Sequence, residues 1–418
     1  MKYDIVIIGG GPAGMMAAGR AGELGSQVVL LEKNDRLGVK LLMTGGGRCN
    51  FTNNSSAREL ANSFGDNGRW LLSAFARFGA EELMAFFNAR GLMTKIEENN
   101  RVFPQSNSAR DLLRILVEYL KSSSVAVRLS TEVKRIVKIN NRIDRLILAD
   151  GSEVSADKFI ICTGGKSYPL SGSTGDAYKW LGQLGHKIVD PRPALVPVIV
   201  KDKFIKDLEG ISLKEVEINC YQADKKFSST TGPVIFTANG LSGPAILNMS
   251  EIIGRLGPKD TQIKIDFFPN LDFSQLDQKL REDFSSRNKM LKNSLDQLIP
   301  SRLADILIKL SNLDGRTKVN LVSREERKKL VSFLKEFTLT ISGLAGYDQA
   351  MVTAGGVDLK EVDPKTMKSK IINNLYLAGE VLDLSGPTGG YNLQLSWTTG
   401  YLAGENASQN LYENINNT

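Results

Sequence analysis

An α/β fold built on a parallel sheet, interrupted by an inserted β-rich stretch and an inserted helical stretch, is what this 418-residue sequence predicts. Three observations carry that prediction. Residues 3–31 read as a complete strand–helix–strand unit with a glycine turn at its centre. Glycines recur in clusters at 9–11, 45–47, 164–165, 355–356 and 389–390, where backbone rather than side chains would have work to do. The pattern changes to β-rich and then helical between about 190 and 345, and afterwards returns to the opening style.

Tyr3–Ile8 is a short, continuous apolar run ending in glycine, as a central parallel strand buried on both faces requires. Pro12 suits a first helical position, where its missing N–H costs nothing, and predicts a helix to about Leu24 that Gly25 stops; Val28–Leu31 supplies the next strand. Within this unit Gly9, Gly11 and Gly14 form G-x-G-x-x-G, and Glu32 lies 23 residues beyond Gly9. Gly9 permits the tight turn, Gly11 lets backbone amides approach a pyrophosphate, and Gly14 lets helix and strand pack closely. The helix N-terminus then offers unpaired N–H groups and a positive dipole end to the phosphates. A carboxylate at the end of the second strand suits a ribose and disfavours a 2′-phosphate, so FAD or NAD fits better than NADP.

Further along, 69–91 and 108–121 have helical periodicity, and 125–149 alternates as a β-meander ending in the turn "ADGSE". Lys158–Cys162 is another buried strand, running into "TGG". The prolines of "DPRPALVPVIV" mark a boundary near Asp190. Residues 195–268 are β-rich, and Asp272–Glu336 is largely helical, with Ser323 capping the run "REERKKLVSFL". From about 346 the α/β style resumes in "NNLYLAGEVLD" and "GGYNLQLSWTTGYLAGENA". The expected organisation is a discontinuous dinucleotide domain of 1–190 and 346–418, with an inserted β-rich subdomain at 191–270 and a helical one at 271–345.

Composition narrows the chemistry. The cysteines Cys49, Cys162 and Cys220 show no C-x-x-C and no metal-ligand spacing, which points to a reducing, cytoplasmic setting and to no metal. With His186 as the single histidine, a His-rich zinc site is excluded and Ser-His-Asp catalysis would rest on one residue; its place after a helix reads as structural. No run of ~18 apolar residues occurs, so no membrane-spanning helix is expected. The net charge is +7, and Asp277–Glu336 carries 14 Lys and Arg against 9 Asp and Glu. The signs there are mixed at helical spacing, which reads as a solvated helical face and not as a nucleic-acid surface.

Four separated pieces, "IIGGGPAG…LLEKN", "KLLMTGGGRCN", "ICTGG" and "LYLAGEVLD…GGYNLQLSWTTG", point at one ligand. Their arrangement resembles the FAD-binding flavoproteins of the Rossmann-like, glutathione-reductase-type fold. More narrowly the chain resembles the YhiN-like, or aminoacetone oxidase, family, through "KLLMTGGGRCNFTN", "FTANGLSGPAIL", "VTAGGV" and "GEVLDLSGPTGGYNLQLSWTTG". The resemblance implies that the β-rich insert is barrel-like. It also implies that Ala13, Gly14, Glu32 and Lys33 hold the ADP half of FAD, while Lys40 and Gly47, Arg48, Cys49 and Asn50 lie along pyrophosphate and flavin. Val133 would meet adenine, and Thr163 and Gly164 would pass near the pyrophosphate. Gly379 and Glu380 stand where larger flavoprotein families have Gly-Asp, and Asn392, Leu393 and Gln394 would stand at the pyrimidine edge. A helix starting near Asn392 would aim its dipole there, worth at most ~2 kcal/mol toward the reduced flavin.

These readings predict an FAD-dependent oxidoreductase acting on a small organic substrate, with NADH or NADPH as a transient electron donor and oligomeric state undetermined. With one full G-x-G-x-x-G, the alternative is a small-amine oxidase using oxygen. Other classes are a nucleic-acid-associated flavoprotein or a flavin-binding protein without turnover. Catalytic residues are not identified, although Tyr391 and Lys40 are candidate proton donors. Cys49 has no partner cysteine nearby in sequence, so thiol–disulfide exchange is not expected.

Overall fold

Apolar runs build the central sheet, seen in a computed structural model that describes residues 3–285 and 289–415, with side chains to 409. Arg287, counted in the basic stretch, lies outside the described residues. β1 (Tyr3–Ile8) is the middle of five parallel strands. It is flanked on one side by β2 (Val28–Leu31) and then Ala126–Arg128, and on the other by Ala156–Ile161 and then Leu375–Leu377. Ile5, Val6 and Ile7 are fully buried, as the continuous apolar run requires. The helix α1 (Pro12–Glu23) packs against the long C-terminal helix Tyr391–Ile415. Gly400 and Gly404 allow the close approach, since a Cβ at either would stand 2.3 Å from a carbonyl of Ala13 or Ala17.

Two expectations change in this part of the chain. The stretch 69–91 is two helices, Gly68–Arg77 and Ala80–Asn88, because the N–H of Gly79 is capped by Glu82 Oε2 at 2.9 Å and a new helix starts there. The first strand of the 125–149 stretch leaves the meander and joins the parallel sheet through Val29, Leu30 and Leu31. The remaining strands, Val133–Ile139, Arg142–Leu148 and Glu153–Val154, form the meander. The proline-rich segment is a strand, Ile188–Ala194, beside Val352–Val357. Gly355 there passes so close to Asp190 that a Cβ would lie 2.4 Å from its carbonyl oxygen.

The chain divides into two compact units, Met1–Pro193 with Ala350–Thr418, and Ala194–Gln349. In the second, six strands close a barrel in the order Val198–Val200, Gly240–Ser242, Lys225–Thr237, Ser212–Gln222, Thr261–Asp266 and Phe337–Leu344. Barrel residues Ile218, Phe236 and Phe337 share one apolar cluster with Leu276, Leu303 and Leu330 of the helices. The last strand lies inside the range read from sequence as helical, because its pairing partners are more than 70 residues away. Ser323 caps Arg324–Lys335 in a capping box with Glu326, at the position read from sequence.

Candidate cofactor site

The glycine turn after β1 shows why each glycine is there. Gly9 has φ +104°, and a Cβ would lie 2.6 Å from the carbonyl oxygen of Cys162. At Gly14 a Cβ would stand 1.8 Å from the carbonyl oxygen of Gly9, so helix and turn could not pack. Gly11, the N-cap of α1, is different: its backbone is extended, and no atom lies within 4 Å of the place a Cβ would take. The chain itself does not need glycine at this position. An external ligand approaching the helix N-terminus would.

This turn opens into a cleft that encloses about 1170 Å³ between its walls, mouth included. At the β2 end, Glu32 is 8% exposed and accepts from the N–H of Gly10 at 2.6 Å and of Asn34 at 2.8 Å. A carboxylate has about four lone-pair sites, so capacity remains for ribose hydroxyls. Lys33 donates to Thr174 Oγ1 at 2.6 Å and to Asp176 Oδ2 at 2.8 Å. Ala13, Val133, Thr163 and Gly164 also line the cleft, the last with φ +72°. Thr163 Oγ1 is buried without a partner among the described residues; Asn50 Oδ1 is too, but Asn50 is not part of the cleft wall. Buried polar atoms left open in this way fit a ligand rich in donors and acceptors.

The other end is walled by Lys40, Gly379, Glu380, Asn392 and Leu393. Gly379 has φ +79°, and its Cβ position is 3.0 Å from Ala13 Cβ, so this turn closes on the first glycine turn. Asn392 braces the preceding loop: its Oδ1 accepts from Gly386 N–H at 2.8 Å, and its Nδ2 donates to the carbonyls of Gly386 and Pro387. Gln394 does not reach the cleft. Its side chain is fully buried between Thr52, Thr398 and the carbonyl of Phe78, and Ser396 lines the wall in its place.

In the loop Thr44–Asn50 it is Thr44 that lines the cleft. Gly45, Gly46 and Gly47 all have positive φ, which winds the chain into a left-handed turn that side chains would strain. Arg48 turns away from the cleft: it pairs with Glu97, donates to Asn107 Oδ1 at 3.0 Å and lies 4.1 Å over the ring of Phe103. Cys49 is fully buried, and burial pushes its thiol up to about 12. At neutral pH the thiolate, which is the nucleophile, is essentially absent. We expect Cys49→Ser to keep FAD bound and turnover within about twofold, at a stability cost of roughly 1 kcal/mol, since Thr44 can bond the new hydroxyl. A titration of retained flavin and a steady-state assay check this, and lost turnover with flavin retained would contradict it.

Sequence reasoning missed several parts of the wall, two of them substantial. One is the loop Ser171–Asp176, whose "SGSTGD" between a strand and a helix was a signal of a backbone-lined turn; the other is Met351 and Val352, for which no local signal exists. His186 is buried between Glu361 and Ser369, at 3.0 and 2.9 Å, and burial lowers its basicity, which suits a structural link. Among the described residues no helix is long and apolar enough to cross a membrane.

The open helix N-terminus, the ribose-compatible carboxylate and the unpartnered Thr163 oxygen at the cleft wall together fit FAD. Comparison with known proteins agrees. The family described as HI0933-like protein Rossmann domain matches residues 3–406. A 3-dehydro-bile acid delta(4,6)-reductase of Clostridium scindens is 32% identical over 97% of this chain and 99% of its own. A ribosomal RNA dihydrouridine synthase of Haemophilus influenzae is 32% identical over 95% of this chain and 96% of its own. Among solved structures, a 3-ketosteroid delta1-dehydrogenase from Sterolibacterium denitrificans shares the fold with a TM-score of 0.53 at 13% identity, covering 98% of this chain and all of that one.

Proposed function

The chain belongs to the HI0933-like family of FAD-binding oxidoreductases, and on that premise we propose that it adds two hydrogens across a carbonyl-conjugated carbon–carbon double bond of a small organic substrate, using NADH or NADPH as electron donor. The observation that carries this reading is a shared chemistry. Of two relatives equally similar along nearly the whole chain, one is named a reductase of a dehydro bile acid and the other a synthase of dihydrouridine in ribosomal RNA. Each name implies saturation of a carbon–carbon double bond conjugated with a carbonyl.

FAD, when bound, supplies the two-electron chemistry. The chain's residues would do the holding: the N-terminus of α1 would face the phosphates past Gly11 and Glu32 would accept from the ribose, while Asn392 braces the turn that starts the C-terminal helix. Cys49 contributes no nucleophile, and the three cysteines are unpaired and buried, which supports two-electron transfer to an organic acceptor over disulfide exchange. Unpaired cysteines also favour a reducing, cytoplasmic setting.

Ion pairs within the basic stretch support a small substrate over RNA at four of its fourteen basic residues. Lys292, Arg316, Arg327 and Lys335 each pair with a carboxylate of the same unit, Arg327 with Asp277 at 2.8 Å. These four of the fourteen basic side chains would release few counterions on binding a phosphate backbone, although the stretch keeps its net positive charge. Mixing the flavin-loaded protein with NADH or NADPH under nitrogen tests the donor: the flavin absorbance is expected to bleach within the turnover time. An unbleached flavin, with peroxide formed from an amine in air, would establish the oxidase instead. Salt-sensitive binding of ribosomal RNA would move the substrate from small molecule to nucleic acid.

A further inference from the structure

Among the described residues the charged side chains lining the cleft are Glu32, Lys33, Lys40, Glu132, Asp176 and Glu380. Four of these sit toward the β2 end, where Lys33 is bonded to Asp176, Glu32 to the backbone of Gly10 and Asn34, and Glu132 adjoins Val133. The end walled by Gly379, Asn392 and Leu393 therefore has one cation and one anion, Lys40 and Glu380.

These two meet at 2.7 Å, from Lys40 Nζ to Glu380 Oε2. The other carboxylate oxygen accepts from the Ser167 hydroxyl at 2.6 Å and from the Thr353 N–H at 2.9 Å. Lys40 Nζ also donates to Ser167 Oγ at 2.6 Å. An ammonium has three N–H groups, so these contacts leave a third for whatever fills the cleft. Glu380, by contrast, is engaged on both oxygens by the protein. Gly165 is required beneath the cluster, where a Cβ would lie 2.3 Å from Thr353 Oγ1 and 2.7 Å from Glu380 Oε1. Four segments thus converge to hold one neutralised pair, with side chains only 24% and 17% exposed.

We propose that Lys40 and Glu380 form a compensated charge pair that keeps either charge from shifting the reduction potential of the flavin, Glu380 both fixing Lys40 at the cleft wall and masking its charge. The inference rests on the reading that this cleft holds FAD. Reduction adds negative charge to the flavin, so a bare cation in the wall would favour the reduced form and a bare anion would oppose it. In a partly buried wall such charges act with little screening. Lys40 and Glu380 are positioning and tuning residues here, and no bond to a substrate is assigned to either.

The test is the midpoint potential of the bound flavin, measured by dye-linked equilibrium titration on the holoprotein. Lys40→Met is expected to shift it to more negative values and Glu380→Gln to more positive values. The double variant should return toward the wild type, and Lys40→Arg should stay near it. A role in packing alone would shift both single variants in the same direction or neither, and either result overturns the proposal. Should Glu380→Gln fail to fold, the contrast between Lys40→Met and Lys40→Arg decides: equal potentials in these two, with flavin retained, also overturn it. A wild-type protein that takes up no FAD would contradict the site itself, whereas bound flavin with unmoved potentials contradicts only the role of the pair.

Discussion

Gly11→Asp is expected to yield a protein at least as stable as the wild type without cofactor, and unable to hold FAD. At the N-cap of α1 the residue has φ −81° and ψ −174°, a conformation open to any L-residue, and its Cβ position meets no atom of the chain. Aspartate there can accept from the first-turn N–H groups and interact favourably with the helix dipole, a gain of a few tenths of a kcal/mol over glycine. The same carboxylate would occupy the place of the pyrophosphate and repel it. We expect FAD affinity to fall by on the order of 1000-fold, or about 4 kcal/mol. Thermal melts of the cofactor-free proteins and a flavin fluorescence titration read the two effects separately. Gly14→Ala is the contrast: with a methyl 1.8 Å from the Gly9 carbonyl it should damage the fold itself. If Gly11→Asp binds FAD as the wild type does, the glycine turn is not the phosphate site.

Glu32→Gln is expected to weaken both the fold and the cofactor site. The carboxylate accepts from Gly10 and Asn34 on its two separate oxygens. An amide supplies one acceptor and turns an NH₂ toward the second N–H, leaving a buried donor unpaired at a cost of about 1–3 kcal/mol. The ribose also loses a charged acceptor, worth about 1.5–3 kcal/mol, so affinity for FAD should drop on the order of 10- to 100-fold. Loss of stability alone, with FAD affinity unchanged, would mean that Glu32 serves only the turn.

The strand–helix–strand unit was legible because its constraints are local. Within the span from Tyr3 to Glu32, Gly14 meets the carbonyl of Gly9, Gly9 takes a positive φ and Pro12 opens the helix, so all three announce their roles, although the Cys162 carbonyl that crowds Gly9 lies far outside it. The opposite end of the cleft was legible as a glycine-marked return to α/β style, but not side chain by side chain. Gln394 follows Leu393 in the chain, yet helical rotation carries it into the core against Thr52 and Phe78, while Ser396 comes round to the wall. Arg48 gave no local sign that Glu97 and Phe103, some fifty residues on, would draw it away from the cleft. The closing barrel strand Phe337–Leu344 was hidden for the same reason: its partners Val198–Val200 and Thr261–Asp266 are distant in sequence, and no local period encodes which strand closes the ring. The pair of Lys40 and Glu380 spans 340 residues and could be seen only in the folded chain.

The most direct test of the proposed reaction is its oxidative half. The flavin is first reduced under nitrogen, excess donor is removed, and the protein is mixed with conjugated enones ranging from cyclohexenone to 3-oxo steroids. Reductive saturation predicts that at least one enone restores the oxidised flavin spectrum while losing its own conjugated absorbance in equal amount. A reduced flavin that ignores every enone, and returns to the oxidised form only when oxygen is admitted, would contradict it.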